Sequence, residues 1–240
     1  MSQKAPGRLG GRCGFTLIEL LIVIAIILIL IAIALPNFLE AQIRAKAVRS
    51  AGESRSLGLA VESLRVDRNT LLIDIWDDDS VLGVQRLLQF FGGIANTNKA
   101  TRLQRDVMAP LTTPVKYIVS IPQDPFLKDP KTVATSETWT GQLDTYTYFD
   151  RDPAIPDVAD GKAGVGKNSW PDDHNIQGYH AANTAISQVR RLADGEFALI
   201  GSGPDGQVVQ NGFRGVPYSP TNGTRSNGNI TWRSAGTLNR

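Results

Sequence analysis

From Phe15 to Leu35 the chain reads FTLIELLIVIAIILILIAIAL, 21 residues with one charged side chain, Glu19. Wound as a helix, this run is about 31 Å long, close to the thickness of a bilayer core. It is apolar on every side, whereas a helix packed on a soluble domain is apolar along one stripe. Ahead of it, residues 1–14 carry Lys4, Arg8 and Arg12 and no acid. The positive-inside bias therefore places residues 1–14 in the cytoplasm and everything after Pro36 across the membrane. A secretory signal cut at Ala32-Ile33-Ala34 is disfavoured, because the run exceeds the roughly 7–15 apolar residues of such signals and holds a glutamate. A lipoprotein anchor at Cys13 is disfavoured by Arg12 and by the lack of an apolar segment before it.

The whole chain has 240 residues, 42% hydrophobic and 20% charged, so most of it can fold. Its 23 glycines and 13 prolines argue against an all-helical protein. A net charge of +2 argues against nucleic-acid binding through a basic surface. One cysteine, Cys13, and two histidines give no internal disulfide and no four-ligand zinc site. Glu19 is the informative residue of the run. A carboxylate at a helix centre in lipid costs about 2.5–3.5 kcal/mol, which marks a functional position. The alternative is that Glu19, near the start of the run, snorkels to the cytoplasmic interface.

Gly14-Phe15-Thr16-Leu17-Ile18-Glu19, after a short basic leader and before the apolar run, resembles the class III signal of type IV pilins and type II secretion pseudopilins. Pro36 stands where that family has a helix-kinking proline. The resemblance implies cleavage by a membrane prepilin peptidase between Gly14 and Phe15 and N-methylation of Phe15. The new α-amine has a reference pKa of about 7.7–8.0 and is mostly cationic at neutral pH. In a filament, Glu19 of an incoming subunit can pair with the Phe15 amine of its neighbour, so that two charges costly in lipid become one compensated pair that sets register.

Beyond Pro36 the chain is rich in Ala, Glu, Arg and Leu, and the helix is expected to continue to residue 68. Ala47, Ala51, Ser54, Gly58, Val61 and Leu64 or Arg65, with Leu57 beside them, trace a stripe at helical spacing that would dock on a globular head. Arg44, Lys46, Arg49, Glu53, Arg55 and Glu62 lie off it. Asp67-Arg68-Asn69-Thr70 is expected to end the helix, and Ser80 to cap a second one that ends at Gly92-Gly93. From residue 105 short β-like runs are expected at Tyr117–Ser120, Thr145–Phe149, Phe197–Ile200, Gln207–Gln210 and Asn229–Trp232, with tight turns at Asn222-Gly223 and Asn227-Gly228. Residues 151–195 read as a loop-rich insertion with a short helix at Ala181–Leu192. The expected class is α+β with a pilin-like fold. Its parts are a leader at 1–14, a transmembrane and filament-core helix at 15–35, its amphipathic continuation at 36–68, and a periplasmic head at 69–240.

Leu111-Thr112-Thr113-Pro114, Tyr117, Pro122-x-Asp124-Pro125-Phe126, Tyr146-x-Tyr148 and Ser202-Gly203-Pro204-Asp205-Gly206 run in that order. They resemble the head of major, protein G-like pseudopilins, although Asp67-Arg68-Asn69-Thr70-Leu71 departs from the usual Asp-Asn-x-Tyr-Pro. The resemblance implies a structural subunit, not an enzyme. It would self-assemble into a periplasmic pseudopilus that drives protein export, with a prepilin peptidase, an inner-membrane platform, a cytoplasmic ATPase and minor pseudopilins as partners. A surface type IV pilin and a membrane-tethered binding or enzymatic domain are the alternatives.

Such heads often hold calcium in the C-terminal loops, but Asp205 is the one acid after residue 200. With neutral oxygens from Ser219, Asn222, Thr224 and Asn229 it makes at best a weak site, and a Pro-Asp-Gly turn accounts for it as well. No cofactor is required. Gly201-x-Gly203-x-x-Gly206 matches a dinucleotide fingerprint only formally, since no helix pattern follows. Asp77-Asp78-Asp79 reads as a solvated turn, and His174 and His180 as surface residues. No catalytic constellation stands out.

Overall fold

The computed structural model describes residues 14–72, 88, 103–127, 144–151, 192–193, 195–206, 217–219, 226 and 228–234. The expected helix after Ser80, the strand Gln207–Gln210, the turn at Asn222-Gly223 and the helix at Ala181–Leu192 fall wholly or mostly outside these residues, as do Asp77-Asp78-Asp79, His174 and His180. The fold is α+β: one long helix and a small antiparallel sheet. The chain divides into two compact units, one ending at Gln42 and one beginning at Ile43.

Helix α1, Leu17–Arg68, runs for 52 residues, about 78 Å at helical rise. In the first unit every described residue from Gly14 to Leu39 is exposed. This helix is long and apolar enough to cross a membrane, with a mean hydropathy of 3.4 over its most apolar window. Pro36 lies inside the helix without ending it. It offers no N–H to the Ala32 carbonyl, and beside it Asn37 Nδ2 donates to the Ile33 carbonyl at 3.5 Å. At the far end Asn69 takes φ +51, the left-handed conformation that stops a helix, and its N–H closes on the Arg65 carbonyl at 2.8 Å.

In the second unit α1 buries Ala47, Ser50, Ser54, Leu57, Gly58, Ala60, Val61 and Leu64. The expected stripe is therefore correct except at Ala51, which is exposed; Ser50 takes its place, turned toward Gly201 and Tyr146. A one-turn helix α2, Gln104–Val107, and a 3₁₀ turn, Ala109–Leu111, follow. These two elements precede the first of the expected β-like runs and were not singled out from the sequence. Strands β1 (Thr147–Asp150), β2 (Phe197–Gly201) and β3 (Ile230–Arg233) form an antiparallel sheet in that order. Thr147 pairs with Ile200 and Asp150 with Phe197; Ala198 pairs with Arg233 and Gly201 with Ile230.

Three of the expected strands are present, with ends that differ from expectation by at most two residues. Tyr117–Ser120 is not a strand. The Tyr117 and Ile118 N–H groups both donate to the Leu111 carbonyl, at 2.9 and 3.1 Å, so its donors fold back locally instead of entering a ladder. Arg151 and Gly195 are tied together, Arg151 N–H to the Glu196 carbonyl at 2.9 Å and Gly195 N–H to the Arg151 carbonyl at 2.7 Å. The insertion thus leaves β1 and rejoins β2 at neighbouring points.

Alternation decides which side chains meet the helix. Tyr146 and Tyr148, Phe197 and Leu199, and Trp232 join Leu57, Ala60, Val61 and Leu64 in one core with Leu71, Leu72, Met108 and Leu111. Burial of each large apolar side chain contributes about 1.5–3 kcal/mol. A smaller cluster, Ala47, Phe126 and Ile230 with Ile43 and Tyr218, lies beside it. Gly58 makes the close helix–sheet contact possible: a Cβ there would stand 2.3 Å from Trp232 Cζ3.

Candidate functional site: the N-terminal signal and the head joint

At the start of α1 the chain is non-helical through Thr16, and Gly14 and Phe15 are exposed. Among the described residues, a Cβ on Gly14 would meet nothing within 4 Å. Thr16 and Glu19 cap the helix reciprocally. The Glu19 carboxylate accepts the Thr16 N–H and hydroxyl, both at 2.8 Å, and Thr16 Oγ1 accepts the Glu19 N–H at 3.3 Å. The Thr16 carbonyl accepts the Leu20 N–H at 3.2 Å. Glu19 is therefore held by its own helix end, within one residue of the atom that cleavage would turn into an amine. Sequence reading picked Gly14, Phe15 and Glu19 but not Thr16; the S/T-x-x-E spacing was the available signal.

In the head the resembling motifs converge on Asp124, which is only 2% exposed. Its carboxylate accepts the Phe126 N–H at 3.0 Å, an Asx turn, and the Ser202 N–H from the far end of the chain. Burial pushes its pKa up; the two amide hydrogen bonds oppose that shift without cancelling it. Pro122-x-Asp124-Pro125-Phe126 is thereby fastened to Ser202-Gly203-Pro204-Asp205-Gly206. Asn229 Nδ2 donates to the Gly201 carbonyl at 3.0 Å and adds β3 to the same joint. A Cβ on Gly203 would stand 1.9 Å from the Gly228 carbonyl oxygen, so backbone meets backbone there.

The joint reaches α1 through Tyr146, whose hydroxyl donates to Glu53 at 2.8 Å while Arg49 Nε donates to the other Glu53 oxygen at 2.8 Å. Burial drives the Tyr146 pKa far above the ordinary phenol range. Two further carboxylates brace the sheet. Asp144 accepts the Arg105 N–H at 3.0 Å and pairs with its guanidinium; burial raises its pKa. Glu196 pairs with Arg233 at 2.7 Å, both side chains being buried. Nothing in the sequence marked these two pairs.

Asp205 occupies the turn that Gly206 N–H closes onto the Gly203 carbonyl at 2.8 Å, with Gly206 at φ +72. Ser219 N–H donates to Ser226 Oγ at 3.2 Å, and Asn229 donates through Nδ2 to the Gly201 carbonyl; Asn222 and Thr224 lie outside the described residues. Among the described residues no group of three His, Cys, Asp or Glu side chains is assembled for a metal.

Residues 10–35 match the family model described as the prokaryotic N-terminal methylation motif. The chain is 44% identical over 85 residues to fimbrial protein EcpB of Eikenella corrodens, an overlap covering 35% of this chain and 53% of that protein. The chain thus spans about half the length of the curated relative it matches. No solved structure matches it. Together with the all-apolar helix, these findings support a type IV pilin-like protein with a class III signal.

Proposed function

We propose that the protein is a structural subunit of a type II secretion pseudopilus. Cut after Gly14 and methylated on Phe15, it waits in the inner membrane with its head in the periplasm and is then drawn into a growing filament. The platform protein and minor pseudopilins receive it, a cytoplasmic ATPase drives the step, and the chain does no covalent chemistry. The observation that supports this reading is the Asp124–Ser202 joint, which ties together two head motifs resembling major pseudopilins. In assembly Glu19 would exchange its Thr16 contacts for the Phe15 amine of a neighbour.

A second reading, a surface type IV pilin, is favoured by the likeness to a protein named fimbrial. Quantitative mass spectrometry of culture medium separates the two. Deletion should remove a set of enzymes from the medium, restored by the wild type and not by Gly14→Ala. Unchanged secretion, with the protein itself lost from sheared surface material, would decide for the pilin.

A further inference from the structure

Between the last pair of β1 and the first of β2, Asp150 with Phe197, the chain leaves the sheet for residues 152–194. The ladder closes neatly across that gap. One step beyond the Asp150–Phe197 pair, the Arg151 N–H donates to the Glu196 carbonyl at 2.9 Å and the Gly195 N–H donates to the Arg151 carbonyl at 2.7 Å. Gly195 takes φ +75. A left-handed glycine whose amide bonds back to the residue ending the first strand is the pattern of a three-residue hairpin loop, a type I turn followed by a glycine bulge. Arg151 and Gly195 stand as the first and last residues of that turn, and residues 152–194 occupy the place of its two central ones.

The root is held by residues outside the segment. Arg65 of α1 donates through Nη1 to the Gly195 carbonyl at 2.9 Å, and Arg233 of β3 pairs with the buried Glu196 carboxylate at 2.7 Å. Neither these contacts nor the two backbone bonds of Arg151 use a residue of 152–194. The segment leans on the root in turn. The Ala193 N–H donates to Glu196 Oε2 at 2.8 Å, the Ala193 carbonyl accepts the Glu196 N–H at 2.9 Å, and the Leu192 carbonyl accepts from Arg151 Nη1 at 3.4 Å. Leu192 is buried, yet it belongs to neither of the two described core clusters.

We propose that residues 152–194 are a module grafted into the turn of a complete β1–β2 hairpin, and that folding and self-assembly are carried by the rest of the chain. A long loop costs more entropy to close than a short turn, so removing the module takes away a cost of folding. The graft is tied to Arg65 in the last turn of α1, whereas Glu19 of the assembly signal lies in its first. The assembly half of the inference rests on the pseudopilus-subunit reading; the hairpin half stands without it.

The test exchanges 152–194 in the full chain for Pro-Asp, which with Gly195 completes a turn sequence, and in a second variant for a short flexible Gly-Ser linker. In detergent, followed by far-UV circular dichroism, both variants should unfold in one cooperative transition with a midpoint no lower than wild type. In cells that assemble the wild type, both should be cut after Gly14 and give filaments at wild-type yield. Loss of the transition, or a lower midpoint, in both variants overturns the graft. Variants that fold and are cut but form no filaments overturn the independence of assembly. Failure of the underlying reading looks different: the variants keep their transition while the wild-type chain itself forms no filaments.

Discussion

Replacing Gly58 with alanine sets two known effects against each other. In a helix interior the change should stabilise by about 0.5–1 kcal/mol. Here the added methyl would stand 2.3 Å from Trp232 Cζ3 and 2.5 Å from Cε3 and Cη2, against an optimum of about 3.5–4.0 Å between carbons. The ring must withdraw by more than about 1 Å to restore that separation. Behind it lies Phe197, fully buried, at 5.5 Å between ring centroids, and beyond that Tyr148 at 5.7 Å. The indole can yield only outward, which opens the core. Overpacking of this kind costs about 1–3 kcal/mol, so Gly58→Ala should destabilise by about 1–2 kcal/mol net. For a chain of this size that lowers Tm by roughly 2–8 °C. Thermal unfolding of the full chain in detergent, followed by far-UV circular dichroism, reads the shift. In a Trp232→Leu background the same alanine should become stabilising. A higher Tm for Gly58→Ala in the wild-type background would refute the reasoning.

Two further outcomes follow from the buried carboxylates. Glu196→Ala breaks the buried pair with Arg233 and should cost about 3–5 kcal/mol in a urea titration, while Glu196→Met/Arg233→Met should cost much less. Asp124 and Asp144 have folded-state pKa values raised above their ordinary 3.8, chiefly by burial. The folded chain then holds protons more tightly than the unfolded one between 3.8 and each raised value, so their contribution to stability rises as pH falls through that window. The urea midpoint measured against pH should lose part of that acid-side gain in Asp144→Asn.

The legible features are those whose physics is local. An all-apolar run of bilayer length, a basic leader and the Gly14–Glu19 signal each depend on a few adjacent residues, and so does the stop at Asn69, whose side chain tolerates the left-handed backbone. The docking stripe was legible because helical period links neighbours three and four apart. It went wrong at Ala51 because composition alone cannot choose between adjacent small residues. Ser50 wins through its position opposite Gly201 and Tyr146, more than 90 residues away in the chain. Tyr117–Ser120 failed for a similar reason: β propensity is a packing preference, and the Leu111 carbonyl captures both amides first.

By itself, then, the sequence determined the membrane-type helix, its signal and its end, together with the positions of three strands to within a residue or two. Only the tertiary structure decided what the head motifs do. Asp124 and Ser202 are 78 positions apart and become partners only when the sheet closes. Gly58 and Gly52 look alike in the sequence, two weak points of one helix, and they differ because one faces a tryptophan and the other faces open space. Which distant residue each of these side chains meets is a property of the folded chain, and no local pattern encodes it.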